Sequence, residues 1–297
     1  MGSREESTAM AWQQTALDPA LHLVATPIGN ARDITLRALD ILAGADLLAA
    51  EDTRSLRRLM DIHGVALAGR ELVALHDHSG PAAQARVLDA LAAGRSVAYA
   101  SEAGTPVLSD PGFTLAREAI ARGLAVTAAP GASALLAALA VAGLPAERFA
   151  FMGFLPAAAG ERQALLREWR EFPLTMFFLE SPRRIATTLG EMKGIWGSER
   201  EAVLCRELTK RFEEVIRGTL GSLVEAIPAE GVRGEVVLVV GRAGRALPEG
   251  DAIRSALAQA MTGLRLKDAV TTVAGALGLP RRQVYQIALD MQKGDET

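Results

Sequence analysis

From residue 21 onward, short apolar runs alternate with stretches in which apolar residues recur every three or four positions. That alternation is the mark of βα units, because a parallel strand needs a helical crossover before the next strand can join the sheet. Runs over residues 21–26, 47–50, 71–75, 97–100 and 126–129 predict the strands of a first, parallel sheet. Helical periodicity covers 34–42, 84–93 and 115–122, and each stretch ends near a glycine (Gly44, Gly94, Gly123) that can close a helix in the left-handed conformation. A further helix over 134–141 stops at Gly143, and runs over 149–154, 174–179, 202–207, 214–219 and 235–240 predict a second sheet. Its later strands have short connections, so it is expected to be mixed. Residues 252–297 read as helical throughout: a pattern over 266–276, the turn Gly278-Leu279-Pro280, then a helix over 281–289 carrying Arg281, Arg282, Gln283, Tyr285 and Gln286. Such a tail has the shape of a helix-turn-helix that contacts nucleic acid, and equally of an αα-hairpin that packs or dimerises. The expected organisation is a flexible arm (1–19), an α/β domain (20–131), a second α/β domain (132–243), a linker (244–251) and a helical tail (252–297).

Composition narrows this picture. A hydrophobic share of 49% in 297 residues is ample for a substantial core, whereas 4% aromatic residues exclude a wide base-stacking platform. The net charge of −3 gives no global basic field, so any contact with nucleic acid must come from local arginine and lysine clusters. A single cysteine, Cys205, rules out an internal disulfide and a cysteine-rich zinc site, and its place after an apolar run marks it as a small buried hydrophobe. No apolar stretch approaches the roughly 18–20 residues that span a bilayer, and residues 1–19 are polar and partly acidic, unlike a secretory signal. The chain is expected to be cytoplasmic.

In an open α/β sheet, ligands bind beyond the carboxyl ends of the strands, so the residues after each strand hold the chemistry. After the first stand Thr26-Pro27-Ile28-Gly29-Asn30, with Asp33 expected to cap the next helix; the single glycine cannot form a GxGxxG cradle. After the second stand Glu51-Asp52-Thr53-Arg54, suited to general-base work or to orienting a bound group, and equally to a charged helix start capped by Asp52. After the third, His76-Asp77-His78 holds two of the four histidines; with no second cluster to complete a ligand set, a base or a polar substrate contact is the better reading, and no metal is expected. The densest signal follows the fourth strand: Ser101-Glu102-Ala103-Gly104-Thr105-Pro106, then Ser109-Asp110-Pro111-Gly112. Small residues, hydroxyls and a carboxylate stand there where backbone must approach a ligand closely. The turn Pro130-Gly131-Ala132-Ser133 then opens a helix whose first amides can receive a carboxylate.

These motifs, in this order, resemble those of the ribosomal RNA small subunit methyltransferase I family. The resemblance also takes in the stretch from Gly143 to Pro156, Glu180-Ser181-Pro182-Arg183-Arg184 and Cys205-Arg206-Glu207-Leu208-Thr209-Lys210, and spans residues 21–240 before reaching into the tail. It departs at Glu102, where the family has aspartate, and at Ala132, where the family motif continues with proline. The resemblance implies a tetrapyrrole-methylase fold: two α/β domains with S-adenosyl-L-methionine in the cleft between them, plus the helix-turn-helix-like tail. It implies cofactor contacts from Pro27, Ile28, Ser101, Glu102, Ala103, Gly104, Thr105, Pro130, Gly131 and Ser133, with Leu179 and Leu208 closing over them. The implied reaction is 2′-O-methylation of a cytidine in 16S rRNA of the small ribosomal subunit, by a homodimer. Within the matched motifs, Glu51, Glu207 and Lys210 are the candidates for catalysis. Arg54, Arg57, His76, His78, Arg183, Arg184, Arg281 and Arg282 are the candidates for contact with RNA. Two rivals are a tetrapyrrole C-methyltransferase on the same fold, which would have a glycine-richer first loop and no tail, and a regulator acting through its terminal helices, which would leave the cleft motifs without a purpose.

Overall fold

The computed structural model describes residues 12–76, 79–107, 112–243, 250–277 and 279–294. The first sheet comprises β1 (Leu21–Val24), β2 (Leu47–Ala50), β3 (Glu71–Ala74), β4 (Val97–Ala100) and β5 (Val126–Ala129), in the order β3-β2-β4-β1-β5. Every pairing is parallel. The central strands β2 and β4 are buried at every position, so both faces need cover, and the crossover helices provide it. Leu48, Ala50, Ala98 and Ala100 point to α1 (Leu36–Gly44) and α2 (Thr53–Ile62). Their neighbours Leu47, Ala49, Val97 and Tyr99 point to α3 (Pro81–Ala92) and α4 (Gly112–Ala121). This alternation is the twofold side-chain period of a strand.

The second sheet comprises β6 (Phe149–Phe154), β7 (Thr175–Glu180), β8 (Glu201–Arg206), β9 (Glu214–Thr219) and β10 (Val236–Val240), in the order β6-β7-β10-β8-β9. Only β6 and β7 run parallel; the other pairings are antiparallel, so the sheet is mixed. Phe177, Val203, Cys205 and Val237 face α5 (Ala134–Ala142), and Phe178, Leu204 and Leu238 face α7 (Ile185–Trp196) and α8 (Leu220–Ala226). Between β6 and β7 lies α6 (Ala159–Glu168), whose Arg162 is 5% exposed yet charged. Its guanidinium grips Glu191 of α7 at 2.5 and 2.9 Å and donates to the carbonyls of Pro156 and Ala157. Cys205 is fully buried, and burial pushes its thiol up to about 11, so it behaves as a hydrophobe.

Residues up to Gly241 form one compact unit and those from Arg242 another. The second holds α9 (Gly250–Met261), α10 (Leu266–Leu277) and α11 (Arg281–Gly294) around its own core of Ile253, Leu257, Val270, Val273, Leu279 and Val284. Residues 244–249 of the expected linker lie outside the described residues.

Three local expectations change. The helix after β1 is capped by Thr35, not Asp33: the Asp33 amide closes a turn onto Asn30 O (2.9 Å), so the helix starts later and the Thr35 hydroxyl accepts from the Ala38 amide at 3.1 Å. Gly44 does not close its helix in the left-handed region; it is the last helical residue, and a side chain there would strike the Thr15 carbonyl. That carbonyl belongs to the segment read as a loose arm. From Trp12 on it is packed down: the Trp12 indole donates to His63 O (2.9 Å), and Trp12 and Leu17 join the core under α1 and α2.

Candidate functional site

Strands β1 and β4 are neighbours, so the loops that leave their carboxyl ends stand side by side. Thr26 and Gly104 exchange backbone hydrogen bonds of 3.0 Å in each direction and lock the two loops together. The Thr26 hydroxyl donates to Ser101 O (3.2 Å), and the Ser101 hydroxyl donates to Gly104 O (2.6 Å). Gly104 has φ +80°, and a Cβ there would stand 3.1 Å from Ile28 Cγ2, so the turn needs glycine both for its conformation and for space. The Thr105 hydroxyl donates to Ala132 O (3.1 Å), which brings the turn before α5 against the loop after β4. Ser133 caps α5, accepting from the Leu136 amide at 3.5 Å.

The first loop also reaches the second sheet. Ile28 is buried in the apolar layer between α5 and β8, β10. The Asn30 amide donates to the Thr209 hydroxyl (3.1 Å), and a Cβ on Gly29 would collide with the side chains of Thr209 and Lys210. The absence of a side chain at Gly29 is thus what lets the loop after β1 pack against the loop after β8.

Two cavities flank this junction and share Ile28, Ala103, Thr105 and Glu235. One, about 440 Å3, is walled by Gly104, Ser133, Leu135, Phe151, Leu179 and Val237, and is mostly apolar. The other, about 510 Å3, opens over the first sheet and is bordered by Pro27, Glu51, Arg58, Ser101, Glu102 and Lys210. Both volumes fall within the range of small-ligand pockets. A flat nucleoside with a few polar groups along its edges suits the first. The enclosing residues therefore fit the adenosyl part of S-adenosyl-L-methionine, and Gly104 leaves the wall free of a side chain there.

Lys210 is one of two cations that border the polar cavity, with Arg58. Its Nζ lies 2.9 Å from Glu207 Oε1 and 3.0 Å from Glu235 Oε2. Burial works against the ammonium, but the two carboxylates outweigh it, and its pKa lies above the ordinary lysine value. Glu207 is held below the ordinary carboxylate range, first by Lys210 and then by the Glu235 amide, which donates to it at 3.0 Å. Glu207 itself has φ +50° and Thr209 +65°, strain that the surrounding bonds hold in place.

The remaining candidates fall in different places. Gly131 borders a shallow groove with Ile34 and Leu136, while Pro130 is exposed and borders none of these cavities. Leu208 packs into the apolar layer with Ile28 and Cys205 rather than on a cavity wall. Arg54 and Arg57 are exposed on α2, with the Asp52 carboxylate accepting from the Arg54 and Ser55 amides as the helix cap. His76 is exposed after β3, and His78 lies outside the described residues. Arg183 is exposed, but Arg184 turns inward: it donates to the carbonyls of Leu155 and Pro156 and to the buried carboxylate of Glu180. That engagement leaves its side chain half-buried. Arg281 and Arg282 are exposed at the start of α11. Among the described residues no group of three side chains is placed to hold a metal ion. Sequence reasoning missed Glu235, Ser181 and Leu135. Glu235 immediately precedes an apolar run, and nothing local signals that β10 pairs antiparallel with β8 and delivers it to Lys210.

The two α/β lobes and the cavity at their junction define a methylase of the tetrapyrrole type. The family model "Tetrapyrrole (Corrin/Porphyrin) Methylases" matches residues 20–224, and that of the "RsmI C-terminal HTH domain" matches residues 248–292. The solved structure of a cobalt precorrin-4 methyltransferase shares the fold (TM-score 0.56, 18% identity, 75% of this chain and 95% of that one). So does that of uroporphyrin-III C-methyltransferase from Thermus thermophilus complexed with S-adenyl homocysteine (TM-score 0.53, 19% identity, 76% of this chain and 99% of that one). Sequence relatives are much nearer. Ribosomal RNA small subunit methyltransferase I of Mesorhizobium japonicum is 44% identical over 93% of this chain and 93% of its own. Its namesake from Pseudomonas aeruginosa is 42% identical over 92% of this chain and 97% of its own. The chain belongs to the ribosomal RNA small subunit methyltransferase I family.

Proposed function

We propose that this protein transfers the methyl group of S-adenosyl-L-methionine to the 2′-hydroxyl of a cytidine in 16S rRNA of the small ribosomal subunit. The observation that carries the reading is the pair of joined cavities, one apolar and one bearing a fixed cation, together with the names of relatives that match nearly the whole chain. When bound, the cofactor supplies a methyl group already activated by a sulfonium. Ile28, Ala103, Gly104, Thr105, Ser133 and Leu179 would hold it, the loop backbones taking its polar edges and the apolar walls its body.

The chain's own task is to hold an oxygen in line and to make it a better nucleophile. A ribose hydroxyl is a very weak acid, so charge that develops on the oxygen must be met. Lys210, kept protonated by Glu207 and Glu235, borders that cavity together with Arg58, and is the cation assigned to meet this charge. Of the carboxylates that border the same space, Glu51 is the one assigned to accept the hydroxyl proton. Glu207 stands one step back and acts by positioning Lys210. Exposed Arg54, Arg57, Arg58 and Arg183 on the first unit, with Arg281 and Arg282 on the second, supply the local phosphate contacts that the net charge of −3 does not. No helix among the described residues is long and apolar enough to cross a membrane. The reading includes a cytoplasmic homodimer.

The test is transfer of a labelled methyl group to purified small subunits, followed by mapping of the modified nucleotide. One 2′-O-methylated cytidine is expected. Labelling of uroporphyrinogen instead of subunits would overturn the assignment in favour of tetrapyrrole chemistry.

A further inference from the structure

The loop that delivers Lys210 to the cavity also carries an unexplained feature. Phe212, two residues further on, is 64% exposed, in a chain with only 4% aromatic residues. Its ring is not bare: the Arg211 guanidinium lies 5.4 Å from the ring centroid. The loop beneath is closely fixed. The Lys210 amide donates to Glu207 O (2.9 Å), the Glu213 amide to Lys210 O (3.1 Å), and the Glu213 carboxylate accepts from the Thr209 amide. The nearby acids are engaged as well, Glu213 in that bond, Glu214 with Arg206 at 2.9 Å, and Glu207 and Glu235 with Lys210. Arg211 makes no ion pair among the described residues, so the tip of the loop presents an aromatic face with a guanidinium plane beside it.

An exposed apolar ring is tolerated singly on any surface, but a ring held on a rigid turn beside a guanidinium is a stacking surface. Single-stranded RNA is bound in this way: unstacked bases lie on aromatic and guanidinium planes while the phosphates meet positive charge. Protein interfaces also enrich aromatic rings and arginine, but a partner protein would not account for the ring's place two residues from the lysine of the polar cavity. We infer that Phe212 and Arg211 form a stacking clamp for a nucleobase next to the target nucleotide, which fixes the strand so that one ribose enters the Lys210 cavity. The inference rests on the proposed RNA substrate and deepens it: recognition is of an unpaired base, through its face rather than its edge, and so tolerates different bases at that position.

The experiment uses the full chain and intact small subunits, with initial rates measured over a range of subunit concentrations. Alongside, equilibrium binding of the subunits and calorimetric titration of S-adenosyl-L-methionine are measured. Phe212→Ala is expected to raise KM for subunits and weaken subunit binding at least roughly five-fold, the lower end of what one stacked base supplies, with cofactor affinity unchanged. Phe212→Trp should restore wild-type values, and Phe212→Leu, apolar but without a π face, should not. Wild-type kinetics for Phe212→Ala, or full rescue by Phe212→Leu, would overturn the clamp and leave the RNA reading standing. A changed oligomeric state in Phe212→Ala would also overturn it, by assigning the ring to a contact between copies. A wild-type protein that neither binds nor methylates subunits removes both.

Discussion

At the scale of single residues, charge state separates the candidates for catalysis. Lys210 has a pKa raised above its ordinary 10.5, so its pairing adds stability below that value and loses it as pH rises through the folded-state pKa. Glu207 is lowered from 4.5, so its share is present above that value and is lost as pH falls through the folded-state pKa. Between those limits both are charged, and Lys210 acts as a cation rather than as a base. Lys210→Ala should therefore lower kcat about a hundred-fold, the order seen when one donor to a developing oxyanion is removed, with cofactor affinity retained in calorimetry. An intact kcat would take Lys210 out of the reaction. At Gly104 an alanine must adopt φ +80° and meet Ile28 at 3.1 Å. Gly104→Ala should cost about 1–3 kcal/mol of local strain, read as weaker cofactor binding with little change in the far-ultraviolet dichroism. Unchanged binding would show that the turn does not touch the cofactor. Gly104, Ser101 and Thr105 stood out in the sequence because small and hydroxyl residues cluster after an apolar run. Glu235 did not, since its importance comes from a partner 25 positions earlier in the chain.

At the scale of elements, helix ends and inter-helix pairs set local stability. Asp52 is the cap of α2, and Asp52→Ala should lower stability by leaving the Arg54 and Ser55 amides without their acceptor, seen as a lower denaturant midpoint with the slope unchanged. The Arg162–Glu191 pair ties α6 to α7 where neither side chain has much access to water. Glu191→Ala leaves the guanidinium buried without its partner and should destabilise by about 3 kcal/mol or more. The Arg162 bond is also the first cause of the lowered pKa of Glu191, so the wild-type protein should lose this contribution as pH falls below 4.5. Melting temperatures of the two proteins should therefore converge on acidification; parallel curves would show that the pair contributes nothing. The strands among the described residues were legible to within a residue or two at their ends, most plainly β2, β4 and β10, because strands buried throughout read as continuous apolar runs. Helix α8 was not, and nor were α6 and α7. The first turns of α6 and α7 lack a side-chain cap, and α7 carries Thr187, Thr188, Gly190 and Gly194 inside its span, residues that dilute the helical period.

At the scale of the whole molecule, the chain is built as two units, each with its own core. A protein ending at Gly241 should fold and bind S-adenosyl-L-methionine as the full chain does, but bind small subunits more weakly, because it lacks Arg281 and Arg282. Equal subunit affinity would assign the terminal helices to packing rather than to RNA. The sequence alone determined the two α/β lobes, the parallel character of the first sheet, the helical tail and the loops that carry chemistry, since each depends on local periodicity and turn residues. Tertiary structure alone decided which of those loops meet. It set Ile28 in the core of the other lobe, joined Glu207 and Glu235 around Lys210, and tied Arg184 to the buried carboxylate of Glu180. Such pairings depend on strand order and on antiparallel returns, which no local pattern encodes, because the energy that fixes them comes from contacts between residues distant in the chain.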